Sequence, residues 1–115
     1  MAARISTHVL DITQGRPAKG IAVTLEGQGL AGSWKVLGRS RTDADGRSDD
    51  LYPINLRLQA ESYRLTFEVS AYFRSQQVTS FYPEVVVIFT IQDVAQPYHI
   101  PLLLSPFGYS TYRGS

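Results

Sequence analysis

The sequence predicts an all-β fold: a two-sheet antiparallel β-sandwich of seven to eight strands with one short helix. Three observations lead there. Apolar residues recur with period two along most of the 115 residues. Turn-forming residues interrupt these runs at short intervals, and only one stretch has a spacing that suits a helix.

The first strand starts at Ile5. Ile5, Thr7 and Val9 share one face, and Ser6, His8 and Leu10 share the other. Gln14-Gly15-Arg16-Pro17 ends it as a turn. Ile21, Val23 and Leu25 then alternate with Ala22, Thr24 and Glu26, the pattern of a half-buried antiparallel strand. The stretch from Gly27 to Gly32 is glycine-rich, yet it opens onto no helix and lacks the lysine of a phosphate-binding loop, so it reads as a hairpin loop. Asp45-Gly46 is a strong hairpin signal and puts Arg47 at the start of the following strand, where a loop rim meets the sheet. Tyr63, Leu65, Phe67 and Val69 alternate with Arg64, Thr66 and Glu68 in a further strand, and Val69 to Gln77 is the one candidate helix. Val85 to Phe89 is continuously apolar, and with Ile91 it predicts a strand covered on both faces, as by a partner subunit. Gln92-Asp93 and Pro97 separate it from the penultimate strand. There Tyr98, Ile100, Leu102 and Leu104 form the apolar face, while His99, Pro101 and Leu103 point outward. Ser110-Thr111-Tyr112 suits a last strand, followed by the tail Arg113-Gly114-Ser115.

The bulk properties bound the function. The chain predicts a single domain over 1–115, long enough to bury roughly two-thirds of its unfolded surface. A hydrophobic content of 43% and a charged content of 18% suit a globular core. The net charge is +1 and the cations are dispersed, which argues against a nucleic-acid footprint or a polybasic membrane patch. With no cysteine there is no disulfide, thiolate nucleophile or thiolate metal ligand. The longest apolar run is far too short for a membrane span. The first strand follows the N-terminus so closely that no leader is expected, and the cytoplasm is the expected compartment.

Few side chains can carry chemistry. The two histidines, His8 and His99, both fall in strands and both point to an outer sheet face, where they meet substrate or another subunit. Alone, each is as readily a solvated or hydrogen-bonded strand residue. They make a poor zinc set, because no cysteine or suitably placed carboxylate lies near either in sequence and Asp11 lies on the opposite side of its strand from His8. No metal or other cofactor is expected. Arg47 offers a permanently charged fork suited to a planar carbonyl oxygen; by itself it is also an ordinary edge-guarding arginine. Ser33, Ser40, Ser75 and Ser105 have no base near them in sequence, so a serine–histidine–aspartate arrangement does not assemble. An ordered tail would bring the Ser115 hydroxyl and the Arg113 guanidinium together, with Gly114 permitting close approach.

Four stretches in order, Thr7-His8-Val9-Leu10-Asp11, Asp43-Ala44-Asp45-Gly46-Arg47, Tyr98-His99-Ile100-Pro101-Leu102-Leu103-Leu104-Ser105-Pro106 and Tyr112-Arg113-Gly114-Ser115, resemble the 5-hydroxyisourate hydrolases, the enzymatic branch of the transthyretin family. The resemblance runs from Ile5 to Ser115, and Phe107 stands where tyrosine is expected. It implies a transthyretin-like (prealbumin-like) sandwich whose helix follows the fifth strand. It also implies hydrolysis of 5-hydroxyisourate, the unstable product of urate oxidation in purine catabolism, to 2-oxo-4-hydroxy-4-carboxy-5-ureidoimidazoline, without a cofactor. The implied catalytic residues are His8, Arg47, His99 and Ser115, with Tyr112, Arg113 and Gly114 joining His8, Arg47 and Ser115 in binding the substrate. Which histidine is the base and which the acid stays open. The implied assembly is a homotetramer, a dimer of dimers, with sites in the channel between dimers. The alternatives are a non-catalytic carrier of a small aromatic ligand in that channel and a plain structural sandwich. A carrier has no need of the paired histidines, Arg47 and the Tyr-Arg-Gly-Ser ending.

Overall fold

The computed structural model describes residues 4–115; residues 1–3 of the single domain expected over 1–115 lie outside the described residues. In chain order the elements are β1 (Ile5–Asp11), β2 (Arg16–Pro17), β3 (Ala22–Gly27), β4 (Lys35–Arg41), β5 (Arg47–Ser48), β6 (Ser62–Phe67), α1 (Val69–Arg74), β7 (Val85–Thr90), β8 (Tyr98–Ser105) and β9 (Gly108–Thr111). Seven are full strands, and β2 and β5 are two-residue additions to the edge of the first sheet. One sheet runs β2-β1-β8-β9, with β5 also pairing β1, and the other runs β4-β3-β6-β7.

The alternation read from the sequence is the burial pattern of the structure. Val23 and Leu25 of β3, Tyr63, Leu65 and Phe67 of β6, and Ile5 and Val9 of β1 all point between the sheets and are fully buried. Tyr98, Ile100, Leu102 and Leu104 of β8 join them. Each large apolar side chain buried this way stabilises the sandwich by about 1.5–3 kcal/mol. Buried Thr7 remains satisfied because its hydroxyl donates to Ile100 O at 2.6 Å.

Several local expectations are corrected. The sandwich is antiparallel except where it matters for the site: β1 and β8 run parallel, with Ser6 opposite His99 and His8 opposite Pro101. The Asp45-Gly46 turn closes no hairpin. β4 pairs β3, whereas β5 pairs β1, so this turn carries the chain from one sheet to the other. The helix spans only six residues, Val69–Arg74, and buries Val69 and Phe73. Beyond it Gln77 takes φ +60°, and Val78 N–H donates to Phe73 O at 3.0 Å, closing the helix end in a left-handed cap. With the two-residue strands counted, the helix follows the sixth strand instead of the fifth. β7 is an edge strand, and in the single chain its outward Val86 and Ile88 are 42% and 59% exposed. Within the chain, then, β7 is covered on one face only. Outward Pro101 is buried all the same, because the C-terminal tail lies across it.

Candidate active site

The outer face of the first sheet gathers the chemistry. β1 is central there, flanked by β5 on one side and β8 on the other. His8 sits opposite Arg47 in the antiparallel β1–β5 pair. Side chains paired this way have Cβ atoms about 4.5–5.5 Å apart on one face of the sheet. On the β8 side, His99 stands opposite Ser6, one turn of the pleat from His8. The tail then bridges to His99 through Gly114, whose N–H donates to His99 O at 2.7 Å. Four segments distant in sequence thus deliver Arg47, His8, His99 and Gly114 side by side.

The placement of Arg47 depends on its turn. Asp43 Oδ1 accepts from Asp45 N at 2.9 Å and from Arg47 N at 3.0 Å. These bonds, that from Arg47 first, hold the Asp43 carboxyl below its ordinary pKa. Gly46 has φ +76°, a conformation costly for any residue with a Cβ. A Cβ there would also stand 2.3 Å from Val9 O. Gly46 O accepts from Val9 N at 2.8 Å, so the turn is tied directly to β1 beside His8.

His99 is half-buried. Burial pushes its imidazole below the ordinary histidine pKa; Arg47 and His8 push the same way, and Asp49 opposes them. The ring therefore stays neutral near pH 7 and keeps a lone pair available. Its Nδ1 lies 2.9 Å from Ser6 Oγ. The opposite ring edge faces the tail: a Cβ on Gly114 would lie 2.6 Å from His99 Cδ2. With Nδ1 toward β1 and Cδ2 toward the tail, Nε2, bonded to Cδ2, lies at the far end of the ring on the tail side. Ser6 was not singled out as a site residue in the sequence, although its place on the face of His8 was already visible by strand parity.

The remaining expected residues divide. Tyr112, exposed, and Ser115, exposed and next to Gly114, flank the cluster along the tail. Arg113 does not join it. The tail continues the β8–β9 register, so residue 113 alternates to the opposite face. Its guanidinium lies 4.6 Å over the Tyr98 ring and donates to Gln96 Oε1 at 2.7 Å. Arg113 therefore anchors the tail instead of lining the face with His8. A cleft of about 290 Å³ opens at the sandwich margin among Val87, Phe89, Tyr98, His99, Tyr112 and Arg113, but neither His8 nor Arg47 lines it. Asp11 is buried on the opposite side of β1 and accepts from Thr13 N, Gln14 N, Gln14 Nε2 and Tyr72 Oη. Among the described residues no group of three or more histidine, aspartate or glutamate side chains could hold a metal ion.

A two-sheet sandwich carrying imidazoles and a guanidinium on one outer sheet face is a transthyretin-like architecture with acid–base equipment. The chain belongs to the HIUase/Transthyretin family, whose profile it matches over residues 5–114. It is 45% identical to a probable 5-hydroxyisourate hydrolase of Caenorhabditis elegans, over 98% of this chain and 82% of the relative. The structure of Klebsiella pneumoniae 5-hydroxyisourate hydrolase superposes with a TM-score of 0.85 at 35% identity, covering 98% of this chain and 99% of that one. Sea bream transthyretin in complex with thyroxine superposes with a TM-score of 0.89 at 29% identity, covering 96% and 94%. Backbone shape alone does not separate the two kinds of neighbour.

Proposed function

We propose that this protein is an enzyme of urate catabolism that opens the cyclic amide of 5-hydroxyisourate with water. The observation that carries the reading is the cross-strand register that lines up Arg47, His8, His99 and Gly114 on one sheet face, in a chain 45% identical to a named hydrolase.

The chemistry needs a base for the attacking water, a positive charge for the tetrahedral oxyanion and a proton for the leaving nitrogen. Neutral His99, through the Nε2 at the far end of its ring, is the base. Arg47, held by the Asp43–Gly46 turn, binds the carbonyl and stabilises the oxyanion. His8, beside Arg47, delivers the proton to the leaving nitrogen. Ser115 and Tyr112 contact the substrate from the tail side. Arg113 acts through the tail, which it fixes on Tyr98. No cofactor enters these steps.

In one chain this face is open to solvent, and charge stabilisation is strongest where water is excluded. We therefore propose a homotetramer, a dimer of dimers, that covers the face. Half-buried Leu10 and Leu103 beside the site, together with exposed Val86 and Ile88 on edge strand β7, supply apolar surface for such contacts. Sedimentation or size-exclusion measurement gives the assembly, and a cytoplasmic location, also proposed, is read by cell fractionation.

The test is to generate 5-hydroxyisourate with urate oxidase and follow its absorbance decay with and without the protein. Acceleration that disappears in His8→Ala, Arg47→Gln and His99→Ala supports the reading. A protein that binds a small aromatic ligand without accelerating the decay is instead a carrier, the activity that the likeness to transthyretin would favour.

A further inference from the structure

Ser6 is the side chain on this face to which the mechanism above gives no role. Its Oγ lies 2.9 Å from His99 Nδ1, across the parallel β1–β8 pair. A hydroxyl both donates and accepts, and neutral histidine exists in two tautomers, so the pair can be wired in two ways. If Ser6 donates, the ring proton sits on Nε2, and that nitrogen has no lone pair to offer. If Nδ1–H donates to Ser6 Oγ, Nε2 is the free base.

The surroundings select the second wiring. β1 lies between β5 and β8, so whatever follows β5 is on the far side of Ser6 from His99. Asp49 follows there, two residues past Arg47 and hence on the same side, and its carboxylate is near enough to act on the His99 charge. A negative charge on that side favours the arrangement in which the Oγ lone pairs, and not the Ser6 O–H, face Nδ1. The other charged groups acting on His99 are Arg47 and His8, which face each other across the β1–β5 pair two residues along β1 from Ser6.

We infer that Ser6 is a positioning residue that accepts the His99 Nδ1–H bond and so holds the imidazole in the tautomer whose Nε2 lone pair faces the attacking water. This rests on the proposal that His99 is the general base. A partner that sets a tautomer and ring orientation is worth about tenfold to a hundredfold in comparable settings.

The test uses the full chain with ¹⁵N-labelled imidazoles, at a pH above the His99 titration. In the wild type, His99 should show a protonated Nδ1 and a bare Nε2. Ser6→Ala should shift it toward the Nε2–H form and lower kcat by about tenfold to a hundredfold, with KM changed less than kcat. Ser6→Thr, which keeps the hydroxyl on a strand-compatible side chain, should restore both. A wild-type His99 protonated at Nε2 overturns the inference. So does a Ser6→Ala protein with unchanged nitrogen signals, or a Ser6→Thr protein as slow as Ser6→Ala. A changed tautomer with unchanged kcat confirms the positioning but removes His99 as the base. A wild type without hydrolase activity defeats the functional reading alone, since the nitrogen signals are read without substrate.

Discussion

Gly114→Ala isolates the contribution of the tail. The added Cβ would sit 2.6 Å from His99 Cδ2 and 3.1 Å from Pro101 Cγ. Carbon atoms in contact prefer about 3.5–4.0 Å, so the tail or the imidazole must move by about 1 Å. Moving the tail weakens the Gly114 N–H to His99 O bond, now 2.7 Å, at a cost of about 0.5–1.5 kcal/mol. Moving the ring misplaces Nε2, and an error of about 1 Å in a catalytic group can cost about a hundredfold in rate. Stability should therefore change little, with the melting temperature falling by only about 4–8 °C per kcal/mol, while kcat collapses. The assay is decay of freshly generated 5-hydroxyisourate, run beside a thermal melt. Gly108→Ala is the control: its Cβ would meet nothing nearer than Ser105 Oγ at 3.8 Å, an ordinary contact. If Gly114→Ala keeps the wild-type kcat, the tail does not set the His99 geometry and the reasoning fails.

Three further outcomes are expected. The His99 imidazole should titrate below the ordinary value of about 6.5 by NMR, and Arg47→Gln should move its midpoint up, because one of the charges opposing protonation is gone. For a depressed histidine, the associated stability is present above the unfolded value and is lost as pH falls through the folded midpoint; a midpoint that stays put or falls in Arg47→Gln contradicts the electrostatics. Gly46→Ala should destabilise by about 1–3 kcal/mol from the left-handed backbone alone, with the clash against Val9 O in addition. In denaturant melts, a variant as stable as the wild type would show that the turn does not need its glycine. Asp11→Ala strands four hydrogen-bond donors and should cost about 3 kcal/mol in urea unfolding, yet leave kcat intact because Asp11 faces away from His8.

How much was legible in the sequence differs by element. Period-two alternation placed Val23, Leu25, Tyr63, Leu65, Phe67, Leu102 and Leu104 inside and set His8 and His99 on outer faces, all as observed. The place of Arg113 was not legible, because the bridge from His99 to Gly114, which turns residue 113 toward Tyr98, is a tertiary contact. Ser6 was visible on the face of His8, but its contact with His99 spans 93 residues and no local pattern reports it. The same limit applies to the Asp45-Gly46 turn: its residues announce a reversal, but whether the next strand rejoins β4 or crosses to β1 is decided elsewhere in the chain.

By itself, the order of residues determined the strand-rich class, the inward and outward face of each strand, and the motifs that tie the chain to its family. These are local quantities, because side chains alternate along an extended backbone whatever its neighbours are. Only the tertiary structure decided that β1 runs parallel to β8, that the turn before Arg47 switches sheets, and that the tail lies against the His99 ring. Strand partners and register arise from non-local pairing that buries the whole core at once, and that pairing turns two separate histidines and a distant arginine into neighbours.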